Sequence, residues 1–520
     1  MKQNAPPIEK VCVIGAGTMG TGLAAQVANA GLEVLLLDVA GTADAPNKAA
    51  ERGVERIKKS DPPLLMLPEN IERITAGNIR DDLDQAGKCD WIVEAIVERL
   101  DIKRALYLDL VPHLKAGALV TSNTSTIPIS LLMQDMPDQL RRNFCITHFF
   151  NPVRYMRLLE LAKGPDTSPQ CVERLDEFCD RQLGKGVVHC ADTPGFLANR
   201  VGVFALQAAI HEASRLGLSV EEADAIFGRP MGMPKTGAFG LYDLIGLDLM
   251  ADVVRSMRSI LPPDDAFHPL GEENSQINRQ IELGFTGNKG KGGFYAEIDG
   301  EQVSLDLATG KWKKRNRKIP QLAIDAEAQG IELLLEGDDP LSEFAWQVLS
   351  KTLNYSASLV PEVTTSPQDI DDAMKLGYNW VQGPFEMMDT IGPERLVKRL
   401  ESEGQPVPGF LNDSVGDSFY KVDGGLLKVR HWGGKYEPVS LPPGAIRFHM
   451  LQRTLEPVDQ NRSASLYHLE DGIRLVEFHS KANALDAGSM EMVSKAADDP
   501  GEGIIIHNDG AHFSAGVNLN

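Results

Sequence analysis

Val11-Cys12-Val13-Ile14-Gly15-Ala16-Gly17-Thr18-Met19-Gly20 decides how the first third of the chain folds. Four apolar residues read as a buried strand, and the apolar positions that follow, Leu23, Ala24, Val27 and Ala28, read as a helix running to about residue 30. Between them stand three glycines in G-x-G-x-x-G spacing. Gly15 permits a tight turn, Gly17 lets the backbone approach a pyrophosphate, and Gly20 allows helix and strand to pack closely. The phosphates then face the unpaired amides of a helix N-terminus. The next apolar run, Val34-Leu35-Leu36-Leu37, ends at Asp38, 18 residues past Gly20. A carboxylate there hydrogen-bonds the adenosine ribose and repels a 2′-phosphate, so the pattern predicts an NAD site rather than an NADP site.

Outward from this turn, apolar runs at residues 91–93, 118–121 and 144–147 alternate with helical segments. That alternation predicts an α/β Rossmann domain with a doubly wound, mostly parallel sheet over residues 1–191. After Asp192-Thr193-Pro194-Gly195-Phe196 the chain becomes helical, giving a domain over 192–300. The charged run Lys311-Trp312-Lys313-Lys314-Arg315-Asn316-Arg317-Lys318 reads as surface linker within 301–338. An internal repeat follows: Gly237, Phe239, Asp243, Ile245 and Gly246 recur 146 positions later as Gly383, Phe385, Asp389, Ile391 and Gly392. Upstream, Glu222-Ala223-Asp224 and Asp371-Asp372-Ala373 begin comparable helices. The pattern predicts two duplicated all-α domains, the second over 339–445. Residues 446–520 differ again, with two strands around Asp471-Gly472 and a further strand at Ile504-Ile505-Ile506-His507.

At 520 residues the chain has room for three to four such units. It holds no apolar run near the ~20 residues a membrane helix needs. Its polar start, Met1-Lys2-Gln3-Asn4-Ala5-Pro6-Pro7, leaves no room for a secretory core, so a cytoplasmic protein is expected. All six cysteines fall in the first 190 residues, with no C-x-x-C pair and no zinc-like cluster, which predicts buried thiols and no metal. A formal charge of −21 argues against nucleic acid and anionic membranes as partners. Residues 48–59 run against that trend, with five basic and two acidic side chains, and Lys48, Arg52 and Arg56 fall on one helical face. Taken alone, such a stripe reads as a solvated face.

Four further segments stand behind the glycine turn: Val93-Glu94-Ala95-Ile96-Val97-Glu98, Ser122-Asn123-Thr124-Ser125, His148-Phe149-Phe150-Asn151-Pro152, and Asp192-Thr193-Pro194-Gly195-Phe196-Leu197-Ala198-Asn199-Arg200. In this order they closely resemble the 3-hydroxyacyl-CoA dehydrogenase family of fatty-acid β-oxidation, over about residues 8–300. The repeat over about 340–440 is similar to that family's second C-terminal domain. The resemblance implies NAD-dependent oxidation of an (S)-3-hydroxyacyl-CoA, with His148 as general base and Glu160, twelve residues on, orienting it. It implies Ser125 and Asn199 as partners of the reacting oxygen, with Ser125 also beside the nicotinamide. Glu98, Lys103 and Lys289 match cofactor-contact positions, although Lys291 competes with Lys289 for the last of these. A CoA substrate turns the basic stripe into a candidate site for its phosphates, through Lys48, Arg52, Arg56, Lys58 and Lys59. The second repeat carries no glycine turn, His or Glu set, so it is expected to be structural, in the place of a dimer partner. A thiolase subunit is a further partner that the resemblance allows.

Lys481-Ala482-Asn483-Ala484-Leu485-Asp486 and Phe513-Ser514-Ala515-Gly516-Val517-Asn518-Leu519 resemble the start of the enoyl-CoA hydratase (crotonase) family. There the Val517 N–H would form half of an oxyanion hole. The match covers only the beginning of such a domain, so the expectation is a bifunctional β-oxidation protein whose hydratase module is incomplete in this chain. Two alternatives remain open: an NAD-dependent dehydrogenase of a non-CoA hydroxy acid, and a non-catalytic NAD-binding scaffold.

Overall fold

The computed structural model describes residues 6–442, 445–446, 448–452, 455–508, 510 and 512–518. The expectation for residues 1–5 and the Leu519 position of the terminal motif lie outside them. Two compact units emerge, one of residues 1–419 with 431–434, the other of residues 420–430 with 435–520.

The first unit opens with an eight-stranded sheet. Its strands are β1 (Lys10–Ile14), β2 (Glu33–Asp38), β3 (Ile74–Asn78), β4 (Trp91–Glu94), β5 (Leu119–Ser122), β6 (Phe144–Phe149), β7 (Leu158–Lys163) and β8 (Gly186–Cys190), in the order β3-β2-β1-β4-β5-β6-β7-β8. Only β6 and β7 pair antiparallel. Parallel strands are covered on both faces, which is why β1, β4 and β5 are almost wholly buried and read as continuous apolar runs. Helices α1 (Thr18–Asn29), α2 (Lys48–Lys58), α3 (Leu100–Leu110) and α4 (Pro169–Arg181) lie along the sheet. Val11, Val13, Leu23, Trp91, Val93 and Phe178 share one core. The order reverses at β1, which pairs with β2 on one side and β4 on the other, so a crevice opens at the strands' C-terminal ends.

Helices α5 (Ala198–Leu216), α6 (Val220–Phe227), α7 (Gly237–Ile245) and α8 (Leu247–Ile260) form the first helical region. The expected linker over 301–338 is overturned. Strands β9 (Tyr295–Ile298), β10 (Glu301–Leu305) and β11 (Trp312–Lys314) make an antiparallel sheet, and residues 321–329 add a helix. The overlooked signal is Asp299-Gly300, both at positive φ, which turns β9 into β10. The charged run contains edge strand β11, where Lys314 is exposed and Trp312 packs on Phe285. The first region is therefore not all-α.

The second helical region holds α9 (Pro340–Ser358), α10 (Pro367–Gly377) and α11 (Pro384–Ile391). It repeats the hydrogen bonding of the first. Asp224 of α6 accepts from the amides of Phe239 (2.7 Å) and Gly240 (3.1 Å), while Asp371 of α10 accepts from Phe385 (2.8 Å) and Glu386 (3.3 Å). Asp243 accepts from Phe294 N–H at 2.6 Å, and Asp389 from Phe419 N–H at 2.7 Å. The rings match too: Phe239 meets Phe294 edge-on at 4.7 Å, and Phe385 meets Phe419 edge-on at 4.8 Å. The register shifts by one residue between the pairs, since 224 to 371 spans 147 positions against 146 for 243 to 389. The continuous part of the first unit runs to Phe419 and residues 431–434 join it, whereas the expected boundary stood at 445.

In the second unit, β12 (Tyr420–Asp423), β13 (Leu426–Arg430) and β14 (Tyr436–Pro438) form an antiparallel sheet. A four-stranded sheet follows, of β15 (Asp459–Gln460), β16 (Ala464–His468), β17 (Ile473–Phe478) and β18 (Gly503–His507). The expected Asp471-Gly472 turn joins β16 to β17. Helix α12 (Ala487–Asp498) then carries the chain over to β18, parallel to β17. Ala464, Leu466, Val476, Phe478, Met492 and Ala496 make a small core beneath that helix.

Candidate active site

The turn after β1 has the form that a dinucleotide requires. Gly15 sits at φ +109°, and its N–H donates to Leu37 O at 2.7 Å. A Cβ on Gly20 would collide with the Gly15 carbonyl, whereas one on Gly17 would meet nothing within 4 Å. Gly17 thus leaves open space at the N-terminus of α1, where no side chain caps the first amides. Asp38 ends β2, and its two oxygens accept from Ala16 N–H and Val39 N–H, both at 2.6 Å. A carboxylate offers about four lone pairs, so capacity remains for ribose hydroxyls. Val39 and Val97, exposed at 62% and 57%, follow β2 and β4, the strands flanking β1. These features together fit NAD.

Helix α2 buries Ala50, Gly53 and Ile57. A Cβ on Gly53 would lie 2.8 Å from Ala16 Cβ, so the helix packs directly on the glycine turn. Of the basic stripe, Arg56 reaches Ala16 O at 3.4 Å and Lys58 pairs with Glu55 at 2.7 Å. Lys59 lies one residue past the helix, 4.0 Å from Glu55. Lys48 and Arg52 share α2 with Arg56.

The polar centre comes from the antiparallel pair β6 and β7, whose register sets His148 directly opposite Glu160. Opposed residues project to the same face. His148 Nδ1 and Glu160 Oε2 are 2.7 Å apart, with exposures of 7% and 0%. The other carboxylate oxygen, Oε1, accepts from the amides of Leu197 (3.0 Å) and Ala198 (2.7 Å) at the start of α5. An anion at a helix N-terminus is favourable, and here both of its oxygens are hydrogen-bonded. Gly195 and Phe196, both at positive φ, bend the chain so that these amides face Glu160. Phe150 and Phe196 pack on the imidazole at 4.7 and 5.5 Å. With Nδ1 committed to the carboxylate, Nε2 is the nitrogen left to take a proton.

Asn199 is the next residue of α5 after Ala198, so the helix that anchors Glu160 also positions Asn199. Ser125 lies on the loop after β5, tied to β6 because Asn123 Oδ1 accepts Phe149 N–H at 2.9 Å. Glu98 secures the same loop: its Oε1 accepts from Ser125 N–H (3.2 Å), Thr126 N–H (3.2 Å), Thr126 Oγ1 (2.8 Å) and Thr124 Oγ1.

Lys103, expected at a cofactor-contact position, is buried in the protein. Its side chain is 1% exposed, with Nζ 2.6 Å from Glu94 and 3.3 Å from Glu98. Glu94 was missed because at the end of Trp91-Ile92-Val93-Glu94 it reads as the polar residue closing a strand. It also accepts from Tyr107 Oη and Ser122 Oγ, each at 2.7 Å, so one buried network runs beneath the Ser125 loop. Lys289 pairs with Asp248 at 2.6 Å at the start of α8, and Lys291 donates to Leu283 O, so the contacts of both fall within the first helical region.

The model of the NAD-binding domain of 3-hydroxyacyl-CoA dehydrogenase matches residues 10–193, and the model of that enzyme's C-terminal domain matches 195–297 and again 344–421. The chain belongs to the 3-hydroxyacyl-CoA dehydrogenase family. A Rickettsia felis protein with the provisional name fatty acid oxidation complex trifunctional enzyme is 36% identical over 98% of this chain and 69% of its own length. Human mitochondrial hydroxyacyl-coenzyme A dehydrogenase is 34% identical over 55% of this chain and 91% of its own. Among solved structures, 3-hydroxybutyryl-CoA dehydrogenase of Escherichia coli K12 shares the fold with a TM-score of 0.60 at 24% identity, covering 78% of this chain and 98% of that one. Residues 10–193, which include the glycine turn, thus form the NAD-binding domain of a 3-hydroxyacyl-CoA dehydrogenase family member. No helix among the described residues is long and apolar enough to cross a membrane.

Proposed function

We propose that the chain oxidises an (S)-3-hydroxyacyl-CoA to the 3-oxoacyl-CoA, with His148 as general base. The observation that carries this reading is the arrangement His148–Glu160–α5 N-terminus. Glu160 fixes the imidazole with Nδ1 inward, so Nε2 takes the hydroxyl proton as the C3–H electron pair departs. Bound NAD supplies the hydride acceptor. Glu160, held by two amides, stabilises the imidazolium that forms. Ser125 and Asn199 orient the reacting oxygen, and Glu98 keeps the Ser125 loop in place, with Lys103 acting through Glu98 and Glu94 from below. Lys48, Arg52, Arg56, Lys58 and Lys59 meet the CoA phosphates, a locally cationic face on a chain of net charge −21. Lys289 acts on the cofactor only if its pairing with Asp248 opens.

The repeated aspartate bonding supports a duplication of the helical domain in which the second copy stands in for a dimer partner. A crotonase-like reading of residues 459–518 is supported by the parallel bridge between Leu485 and Val517: Leu485 N–H donates to Gly516 O and Asn518 N–H to Leu485 O, which leaves the Val517 N–H directed away from that bridge.

The test of the dehydrogenase reading is NADH production from (S)-3-hydroxybutyryl-CoA. His148→Gln is expected to lower kcat about 10²–10⁴-fold while NAD affinity stays unchanged. Normal turnover by that variant would falsify the assignment of the base.

A further inference from the structure

The first turn of α5 carries Asn199 and the amides that hold Glu160, and the second helical region covers it. Gly202, one turn further along α5, lies beneath the ring of Tyr378: a Cβ at 202 would collide with Cζ, Cε1 and Cε2 of that ring. The residues before Tyr378 wedge in beside it. A Cβ on Gly377 would stand 2.6 Å from Leu158 Cδ2, and one on Gly186 would collide with Leu376. The turn Leu376-Gly377-Tyr378 therefore sits between α5, whose amides grip Glu160, and strands β7 and β8, the first of which bears Glu160. Glycines at 202, 377 and 186 leave just the room it occupies. Burial, and then the Glu160 carboxylate, push the Tyr378 phenol up.

A second contact holds the same turn of α5. Arg200, whose side chain is 2% exposed, donates through Nη2 to Asp265 at 2.6 Å, through Nε to Tyr355 Oη at 2.7 Å, and through Nη1 to Glu362 at 3.0 Å. Tyr355 and Glu362 belong to the second helical region. A buried guanidinium with all three partners fixed resists displacement, because losing one leaves a desolvated charge.

We propose that the second helical region, which carries no catalytic set of its own, is a positioning clamp for the His148–Glu160 pair, with Tyr378 as the residue that seats the first turns of α5. The clamp rests on the assignment of His148 and Glu160 above. A shift of α5 by about 1 Å lengthens the two amide bonds to Glu160, frees the carboxylate to turn from His148 and moves Asn199, and a displacement of that size costs about 10²-fold in rate. The NAD turn lies between β1 and α1, whereas Tyr378 seats α5, so cofactor affinity is spared.

The experiment uses the full chain. Tyr378→Ala is expected to lower kcat about 10–100-fold, with the dissociation constant for NAD, read by fluorescence titration, within about twofold of the parent. Tyr378→Phe, which keeps the ring over Gly202, restores most of the lost kcat. Gly202→Ala, which forces the ring away from the other side, reproduces the selective loss and serves if Tyr378→Ala does not fold. Full turnover by Tyr378→Ala or Gly202→Ala overturns the clamp, and so does an equal loss of kcat and NAD affinity, which is general unfolding. His148→Gln separates the two levels: if it is inactive while Tyr378→Ala is normal, only the clamp falls, and if it is active, the base assignment falls first.

Discussion

Asp38 shows how one side chain serves both fold and specificity. Its oxygens brace the glycine turn through Ala16 N–H and close β2 through Val39 N–H, and in the proposed NAD site its remaining capacity goes to the ribose. Asp38→Ser is therefore expected to lower kcat/KM for NAD about 10–100-fold, the loss of a charge-assisted hydrogen bond, and to narrow the preference over NADP. Parallel assays with the two cofactors check this, and an unchanged ratio contradicts it. The turn of the glycines and the strand end at Asp38 were legible in the sequence because they are local, whereas the approach of Glu160 to His148 was expected only from the family resemblance and is set by the β6–β7 pairing. The fate of Lys103 was not legible. Its five-residue spacing from Glu98 shows two charges, whereas its burial depends on Glu94 arriving from β4.

Among elements, α3 is the one whose cost of disruption is clearest. Lys103 from α3 neutralises Glu94 in the core, and Glu94 also takes Tyr107 and Ser122. Lys103→Met strands that carboxylate, so a loss of about 3–5 kcal/mol is expected in urea unfolding, with Glu94→Gln in the same background recovering part of it. Absence of recovery would mean that the pair is not coupled. The α6–α7 junction gives a pH signature. Burial pushes the Asp224 carboxyl up to about 7, and Asp243 nearby up to about 6. From about pH 4 to about 7 the unfolded chain has released the Asp224 proton while the folded chain retains it, so its contribution to stability is complete below pH 4 and is lost as pH rises through 7. Relative to Asp224→Asn, the parent is expected to lose stability steadily across pH 4–7, as measured by thermal melts at half-unit steps. A constant difference between the two would rule this out. The sheet β9–β11 escaped the sequence reading because an edge strand rich in lysine has no apolar alternation to announce it.

At the scale of the molecule, α5 and α9 form the spine of the first unit: Phe204 stacks on Tyr355 at 4.1 Å, Arg200 reaches Tyr355 and Glu362, and Glu212 pairs with Lys351. The repeat in the sequence announced two helical copies. It did not say which faces meet, because Phe204, Gly202, Tyr355 and Tyr378 lie outside the repeated positions. A fragment of residues 1–330 loses α9 and α10, which uncovers the ring of Phe204, strips Arg200 of two partners, and leaves Glu212 without Lys351. Such a surface, apolar at its centre and flanked by charges that have each lost a partner, satisfies itself most readily on a second copy of the same helix, as closed two-fold pairing places like faces together. The fragment is expected to run at twice its monomer mass in size-exclusion chromatography with light scattering, at concentrations where the full chain shows no such association. Adding residues 331–419 as a separate polypeptide should compete with that pairing. A fragment that stays monomeric at the full chain's kcat would mean that neither the covering of α5 nor its placement depends on the second copy.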